Sequence, residues 1–456
     1  MTHAQVLGQP GQRIAILGLG KTGQATARAL RDSGADVSIW DDQNPIDIPG
    51  CTLENPVETG LSGFDALVMS PGIPLTHPTP HPAVQLAQQR GVPIVGDIEL
   101  LFRTQPDAPY LAITGTNGKS TVTALTAHLF ESAGIGAGVG GNLGTAVFDI
   151  KRAANAPYVL ELSSYQLDLC QTTRFQVAAL LNLSADHLDR HGGLQGYIQA
   201  KLRIFQRQTL SDFAFISIDD DHCRSVASAL ERSGQYNVIK VSALTPVSGG
   251  VSAVDGLLRF DNEETPLLDL KPLSSTLPGR HNWQNAAFAA GMARAMGLRR
   301  DQIIAGLKTF RGLPHRQELL GTTQDGVKFV NDSKATNAEA SQWALNAYKD
   351  IYWIVGGQAK EGGIDALMNQ LDNLSGAYLI GDAAPAFAKA LQTKGPRGLT
   401  SHKCGTLEKA VAQAVKDARE AGGGTILLSP ACASWDQFGS FEARGDAFRA
   451  LASKYF

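Results

Sequence analysis

Short apolar runs closed by glycine-rich or polar turns alternate with stretches whose apolar positions recur at helical spacing. Arg13 to Gly18, Ala35 to Trp40, Ala66 to Met69, Tyr110 to Ile113, Tyr158 to Glu161 and Val177 to Leu183 read as buried strands. Gln24 to Ser33 and Val122 to Phe130 read as helices between them. Residues 211–280 carry only short strand-like stretches, and a helix over Trp283 to Met296 follows them. The rhythm then returns at Lys328 to Asn331, Ile351 to Val355, Ala377 to Ile380 and Thr425 to Leu428. Strands alternating with helices predict an α/β protein built on parallel sheets. Pro78, Pro80 and Pro82 mark a loop, and Gly96-Asp97-Ile-Glu-Leu marks a transition. The expected domains are 1–97, 98–313 and 314–456.

Composition narrows the class. The chain has 456 residues, 43% apolar and 18% charged, which suits a globular protein with a substantial core. A net charge of −3 gives no broad basic field, so no nucleic-acid partner is expected. No run reaches the roughly 20 apolar residues of a membrane span, so no stable membrane insertion is expected. Met1 to Gln12 is polar and lacks the apolar core of a signal peptide. Cys51, Cys170, Cys223, Cys404 and Cys432 show neither metal spacing nor an even framework. They read as packing residues in a reducing, cytoplasmic compartment.

Against that background several clusters stand out. Gly18-Leu-Gly20-Lys-Thr-Gly23 follows the first strand, with Asp41-Asp42 about twenty residues later, a nucleotide or dinucleotide fingerprint. Ser70-Pro-Gly-Ile lies at another strand's carboxyl end, where open α/β sheets bind ligands. Gly115-Thr116-Asn117-Gly118-Lys119-Ser120-Thr121 joins a strand to a helix as a phosphate loop. It is a variant, because Ile113 stands where the usual loop has its first glycine. Lys119 would sit between terminal phosphates and Ser120 would help hold Mg²⁺. Glu161 ends a strand, a place where phosphate-loop proteins put a magnesium-binding acid. Asn182 to His191 packs Asp186, His187, Asp189 and His191 together, more polarity than folding requires. Periodicity alone places the nearby Lys201 on a solvated helix face.

Asn-x-x-x-Asp-His-Leu-Asp-Arg-His, with Tyr197-x-x-Ala-Lys201 downstream, resembles the signature of the Mur ligases, the ATP-dependent amide ligases of peptidoglycan synthesis. The likeness spans nearly the whole chain. It implies a Rossmann-like first domain that binds the UDP substrate, a central P-loop ATPase-like domain and a Rossmann-like C-terminal domain that binds glutamate. Leu277-Pro-Gly-Arg-His-Asn282-Trp-Gln-Asn285 resembles the adenine-side segment, with Asn282 and Asn285 as contacts. Arg311-Gly-Leu-Pro-His-Arg316 resembles the junction whose arginine reaches ATP phosphate. In Asn331-Asp332-Ser-Lys334-Ala-Thr336-Asn337 the resemblance turns Asp332 toward nucleotide and Lys334 and Thr336 toward the incoming amino acid. It further implies that Lys201 is carbamylated by CO₂ and joins Ser120, Glu161 and His187 around two Mg²⁺. Lys119, His187, Lys201 and Arg316 then form the catalytic set.

Within the family, Gly356-Gly-Gln-Ala-Lys360 and the segment from Leu428 through Ser434 and Phe441 resemble the glutamate-adding branch. That implies UDP-N-acetylmuramoyl-L-alanine and D-glutamate as substrates of a monomeric enzyme. Lys334, Thr336, Lys360, Ser434 and Phe441 would hold glutamate, while Leu19, Thr22, Asp41, Ser70, Asn142 and His187 would hold the UDP substrate. Two departures stand out. Gln43 replaces an arginine near the uracil, leaving the uridine contacts open, and Trp435 is expected to affect packing only. An alanine-adding ligase, a nicotinamide-dependent dehydrogenase and a non-catalytic nucleotide switch are the rival readings.

Overall fold

The computed structural model describes residues 7–142, 144–261, 263–273, 276–360 and 362–456; of the polar N-terminal stretch, Met1 to Val6 lies outside them. The chain forms two compact units. One comprises the chain up to Asp269 together with Gln284–Thr309, the other Leu270–Trp283 together with Phe310–Phe456. Among the described residues the main sheets hold five, nine and six strands.

The five-stranded sheet runs Thr52–Leu53, Asp36–Trp40, Arg13–Leu17, Ala66–Met69, Ile94–Val95, with parallel pairing throughout. Arg13–Leu17 has its successor on one side and Ala66–Met69 on the other. The crevice that binds ligands in such sheets therefore opens above Leu17 and Met69, where the Gly18–Gly23 and Ser70 turns begin.

In the nine-stranded sheet Tyr110–Thr114 lies between Tyr158–Glu161 and Val177–Leu180. These strands are buried along their whole length, as the near-continuous apolar runs require of a sheet covered on both faces. The last of them is shorter than its apolar run, because the backbone from Leu181 onward turns to serve the phosphate loop. The poorly patterned region becomes the sheet's far edge, where Val251–Val254 and Leu257–Phe260 form an antiparallel hairpin. The helix expected from Trp283 starts three residues earlier, as Arg280–Ala295.

Glu99 ties helix Asp97–Thr104 to the nine-stranded layer. Glu99, fully buried, accepts from the amides of Gln171, Thr172 and Thr173, from both threonine hydroxyls, and from Arg103 Nε at 2.7 Å. Burial alone would raise its pKa. The hydroxyls and amides outweigh that and bring it to about 2. We propose that a domain limit lies near residue 97 and another near 313.

In the second unit the six-stranded sheet runs Glu318–Thr322, Val327–Asn331, Gly424–Leu428, Ile351–Gly356, Leu374–Ile380, Ser401–Gly405. All four strands read from the sequence are present here. The outermost two, Glu318–Thr322 (antiparallel) and Ser401–Gly405, were not legible as apolar runs.

Candidate active site

The phosphate loop leaves the carboxyl end of Tyr110–Thr114 and ends at Gly118, which holds φ 86° at the N-terminus of helix Lys119–Ser132. A Cβ on Gly118 would stand 2.7 Å from Asn285 Oδ1, so both backbone conformation and space demand glycine. Lys119 Nζ folds back to donate to the carbonyl oxygens of Gly115 (2.9 Å) and Thr116 (2.8 Å). Lys201 Nζ reaches the same Gly115 oxygen, also at 2.9 Å, and lies over the Tyr197 ring. Lys201 is 2% exposed, which overturns the solvated position read from periodicity: its helix, Leu194–Leu202, lies against the loop rather than in water. Burial, helped by the neighbouring Lys119, holds the Lys201 amine well below the ordinary lysine range.

Asn182, the first residue of the Asn-x-x-x-Asp-His motif, clasps this loop. Its Oδ1 accepts from the Asn117 amide (2.8 Å) and its Nδ2 donates to the Asn117 carbonyl (3.0 Å), while its own carbonyl accepts from the Thr116 amide. The Thr116 hydroxyl meets Tyr197 Oη at 3.1 Å and accepts from the Ser184 amide. An asparagine just past a buried strand, facing a phosphate loop, is the signal that could have identified it.

Glu161 is 3% exposed. Its Oε1 accepts from Asn142 Nδ2 at 2.8 Å, and among the described residues its buried Oε2 has no hydrogen-bond partner. A desolvated carboxylate oxygen left unsatisfied costs free energy unless a cation meets it. That oxygen and the Ser120 hydroxyl in the first turn of Lys119–Ser132 suit a hard divalent ion. His187 adopts a left-handed backbone (φ 52°) and packs obliquely on Tyr165, with half its side chain exposed. His191, by contrast, is built into the fold. Its Nε2 pairs with Ser164 Oγ at 2.9 Å and its Nδ1 lies 3.3 Å from Asp168, so part of the dense polar cluster serves packing after all.

In the five-stranded layer Asp41 Oδ2 accepts from the Leu19 amide (2.7 Å), and its Oδ1 accepts from the amides of Gln43 and Asn44. Partial burial pushes this carboxyl up, but those amides outweigh it and hold it below the usual range. Asp42 is likewise engaged, by Trp40 Nε1 and His81 Nε2. A dehydrogenase of this fold would keep such an acid for a ribose hydroxyl; here both are turned on the protein. Ser70 Oγ donates to the Gly18 carbonyl (2.9 Å), and Thr22 lies in the first turn of helix Lys21–Asp32. A Cβ on Gly20 would meet nothing within 4 Å, so this turn leaves its ligand side open.

In the second unit Asp332 accepts from Ser429 Oγ (2.8 Å) and the Gln317 amide (3.2 Å). Burial, only partly offset by these donors, raises its pKa to about 7. Arg316 lies between His315 (φ 61°) and Gln317 (φ 48°), two strained left-handed residues that aim this turn. Asn282 Nδ2 donates to the Pro278 carbonyl at 2.8 Å. Lys334 Nζ sits 4.1 Å above the Phe441 ring. Ser434 is buried, Thr336 half-buried and Lys360 exposed. Trp435 is 73% exposed, so the expectation that it affects packing alone fails: its ring has little to pack against.

Three family descriptions match in order: "Mur ligase MurD-like, N-terminal domain" over residues 12–96, "Mur ligase middle domain" over 113–293 and "Mur ligase, glutamate ligase domain" over 315–432. With near-full-length relatives besides, the chain belongs to the Mur ligase family. It is 48% identical to the UDP-N-acetylmuramoylalanine–D-glutamate ligase of Paramagnetospirillum magneticum, over 98% of this chain and 97% of that one. The enzyme of the same name from Rhodospirillum rubrum is 47% identical, over 97% and 94%. Among solved structures, the UDP-N-acetylmuramate–alanine ligase of Thermotoga maritima shares the fold at a TM-score of 0.59 and 17% identity, over 97% of this chain and 99% of that one. MurF of Acinetobacter baumannii gives 0.58 at 16% identity, over 97% and 91%.

Proposed function

We propose that this protein condenses D-glutamate with UDP-N-acetylmuramoyl-L-alanine at the expense of ATP. The observation that carries the reading is the near-full-length likeness to ligases of that name. A free carboxylate resists an amine, because its charge repels the nucleophile and oxide is a poor leaving group. Transfer of the γ-phosphoryl group from ATP to the alanyl carboxylate gives an acyl phosphate and ADP. The glutamate amine then attacks the acyl carbon, and inorganic phosphate leaves with the C–O electron pair as the amine sheds a proton.

Each set of residues contributes to that sequence. Gly115 to Thr121 cradle the triphosphate with backbone amides and a helix N-terminus. Lys119, freed from the Gly115 and Thr116 carbonyls, and Arg316 offset charge on the transferring phosphoryl group. Asn282, Asn285 and Asp332 serve the nucleotide. Leu19, Thr22, Asp41, Ser70, Asn142 and His187 position the UDP substrate, with Asp41 acting through the loop it caps. Lys334, Thr336, Lys360, Ser434 and Phe441 receive the two carboxylates and the backbone of glutamate. Magnesium, two ions in our reading, would neutralise phosphate charge when held by Ser120, Glu161, His187 and a carbamate on Lys201. The buried amine of Lys201 supports that modification, since only an uncharged amine reacts with CO₂. Among the described residues no helix is long and apolar enough to cross a membrane, and we propose a cytoplasmic monomer.

The test is phosphate release from ATP and Mg²⁺ with the UDP substrate, adding D-glutamate, L-glutamate or L-alanine in turn. D-Glutamate dependence and a product mass equal to the condensed amide are expected. Release with L-alanine, or with no amino acid at all, refutes the reading.

A further inference from the structure

Arg444 is 1% exposed on helix Phe441–Ala452, yet among the described residues no carboxylate lies within ion-pairing distance of it. Its guanidinium donates instead to neutral oxygens of two other segments. Nε reaches Ser333 Oγ at 3.0 Å, and one terminal nitrogen reaches the Ser333 carbonyl at 2.8 Å and the Cys432 carbonyl at 3.1 Å. The other terminal nitrogen reaches the carbonyls of Cys432 (3.1 Å) and Ala433 (3.3 Å). A cation desolvated with no carboxylate in contact is a poor way to stabilise a core, where an apolar side chain of similar volume serves as well or better. What an apolar side chain cannot do is fix two backbone segments at a set separation with a rigid planar fork.

The segments so fixed carry the amino-acid pocket. Ser333 precedes Lys334, and Ala433 precedes Ser434. Ser333 Oγ also donates to the Phe441 carbonyl at 2.8 Å, and the Phe441 ring lies beneath Lys334 Nζ. Lys334, Ser434 and Phe441 thus come from three segments that meet at one guanidinium.

We infer that Arg444 is the positioning residue that sets the geometry of the glutamate pocket. It touches no substrate itself and acts through Ser333, Cys432 and Ala433. The inference rests on the proposed amino-acid substrate.

Initial rates with D-glutamate varied at saturating ATP, and with ATP varied at saturating D-glutamate, test it in the wild-type chain, Arg444→Lys and Ser333→Ala. Arg444→Lys keeps the charge but loses the fork; Ser333→Ala removes only the shared hydroxyl and carries the test if the arginine variant does not fold. The expected result is a KM for D-glutamate raised about tenfold, equivalent to about 1.4 kcal/mol, with the KM for ATP within twofold of wild type. Methylguanidine should restore part of the lost affinity in Arg444→Ala. Unchanged KM for glutamate, or equal rises for both substrates, overturns the inference and leaves Arg444 a folding residue. A wild-type chain showing no glutamate-dependent phosphate release overturns the functional reading beneath it.

Discussion

The amines of Lys119 and Lys201 donate to a single acceptor, the Gly115 carbonyl oxygen, each at 2.9 Å. Two full positive charges on one oxygen repel each other, and the buried one yields. Burial and Lys119 thus favour the uncharged form of the Lys201 amine, the form that can attack CO₂, forming an N–C bond and releasing a proton to leave a carbamate. Enzyme stripped of CO₂ should therefore lose about tenfold or more in rate and recover on adding bicarbonate. Carbon-13 bicarbonate should give a carbamate resonance absent from Lys201→Arg. Full activity without CO₂ would sink the idea.

Asn182 holds the Asn117 peptide by both its N–H and its C=O. Asn182→Ala forfeits both bonds, at a cost of about 1–3 kcal/mol, and lets the phosphate loop relax. The KM for ATP should rise about tenfold while the KM for D-glutamate barely moves. Steady-state kinetics with each substrate varied decide this, and an unchanged ATP KM would remove Asn182 from the site.

Glu99 should govern acid stability. Its pKa is about 2 in the fold against an ordinary value of 4.5. The stabilisation is therefore complete above about 4.5 and is lost as pH falls toward 2. Glu99→Gln should cost about 3 kcal/mol at pH 7, and the loss should shrink steadily below pH 4.5. Urea unfolding at pH 3, 4 and 7 measures it; a pH-independent loss would mean that the carboxylate charge is immaterial.

Asp332 predicts the opposite slope. Burial raises its pKa from 3.8 to about 7, so the folded state prefers the protonated form. The resulting stability is present below 3.8 and disappears as pH rises through about 7. Asp332→Asn should match the parent near pH 3.5 and exceed it by a few kcal/mol at pH 8, with activity lost. Equal thermal midpoints at pH 8 would contradict the assignment.

What the sequence disclosed follows from burial. Central strands such as Val177–Leu180 and Ile351–Gly356 are covered on both faces, so their composition betrays them. Ser401-His402-Lys403-Cys404-Gly405 lies at a sheet edge, is half wet and has no apolar run to read. Site residues followed the same logic. Gly118 announces itself because only glycine suits its turn. Lys201 looks like surface until the loop it touches is folded against it. Arg444 comes three residues after Phe441, but its importance depends on Ser333, which is far away in sequence.

The indole of Trp435 stands in water beside Ser434, while that of Trp353 is sealed in the sheet. The protein thus carries an unlabelled, solvent-exposed fluorophore beside a residue proposed to hold glutamate, and replacing Trp40, Trp283, Trp343 and Trp353 by phenylalanine would leave its emission alone. Occupancy of the proposed pocket would then become an optical quantity, readable without turnover and without a radioactive substrate.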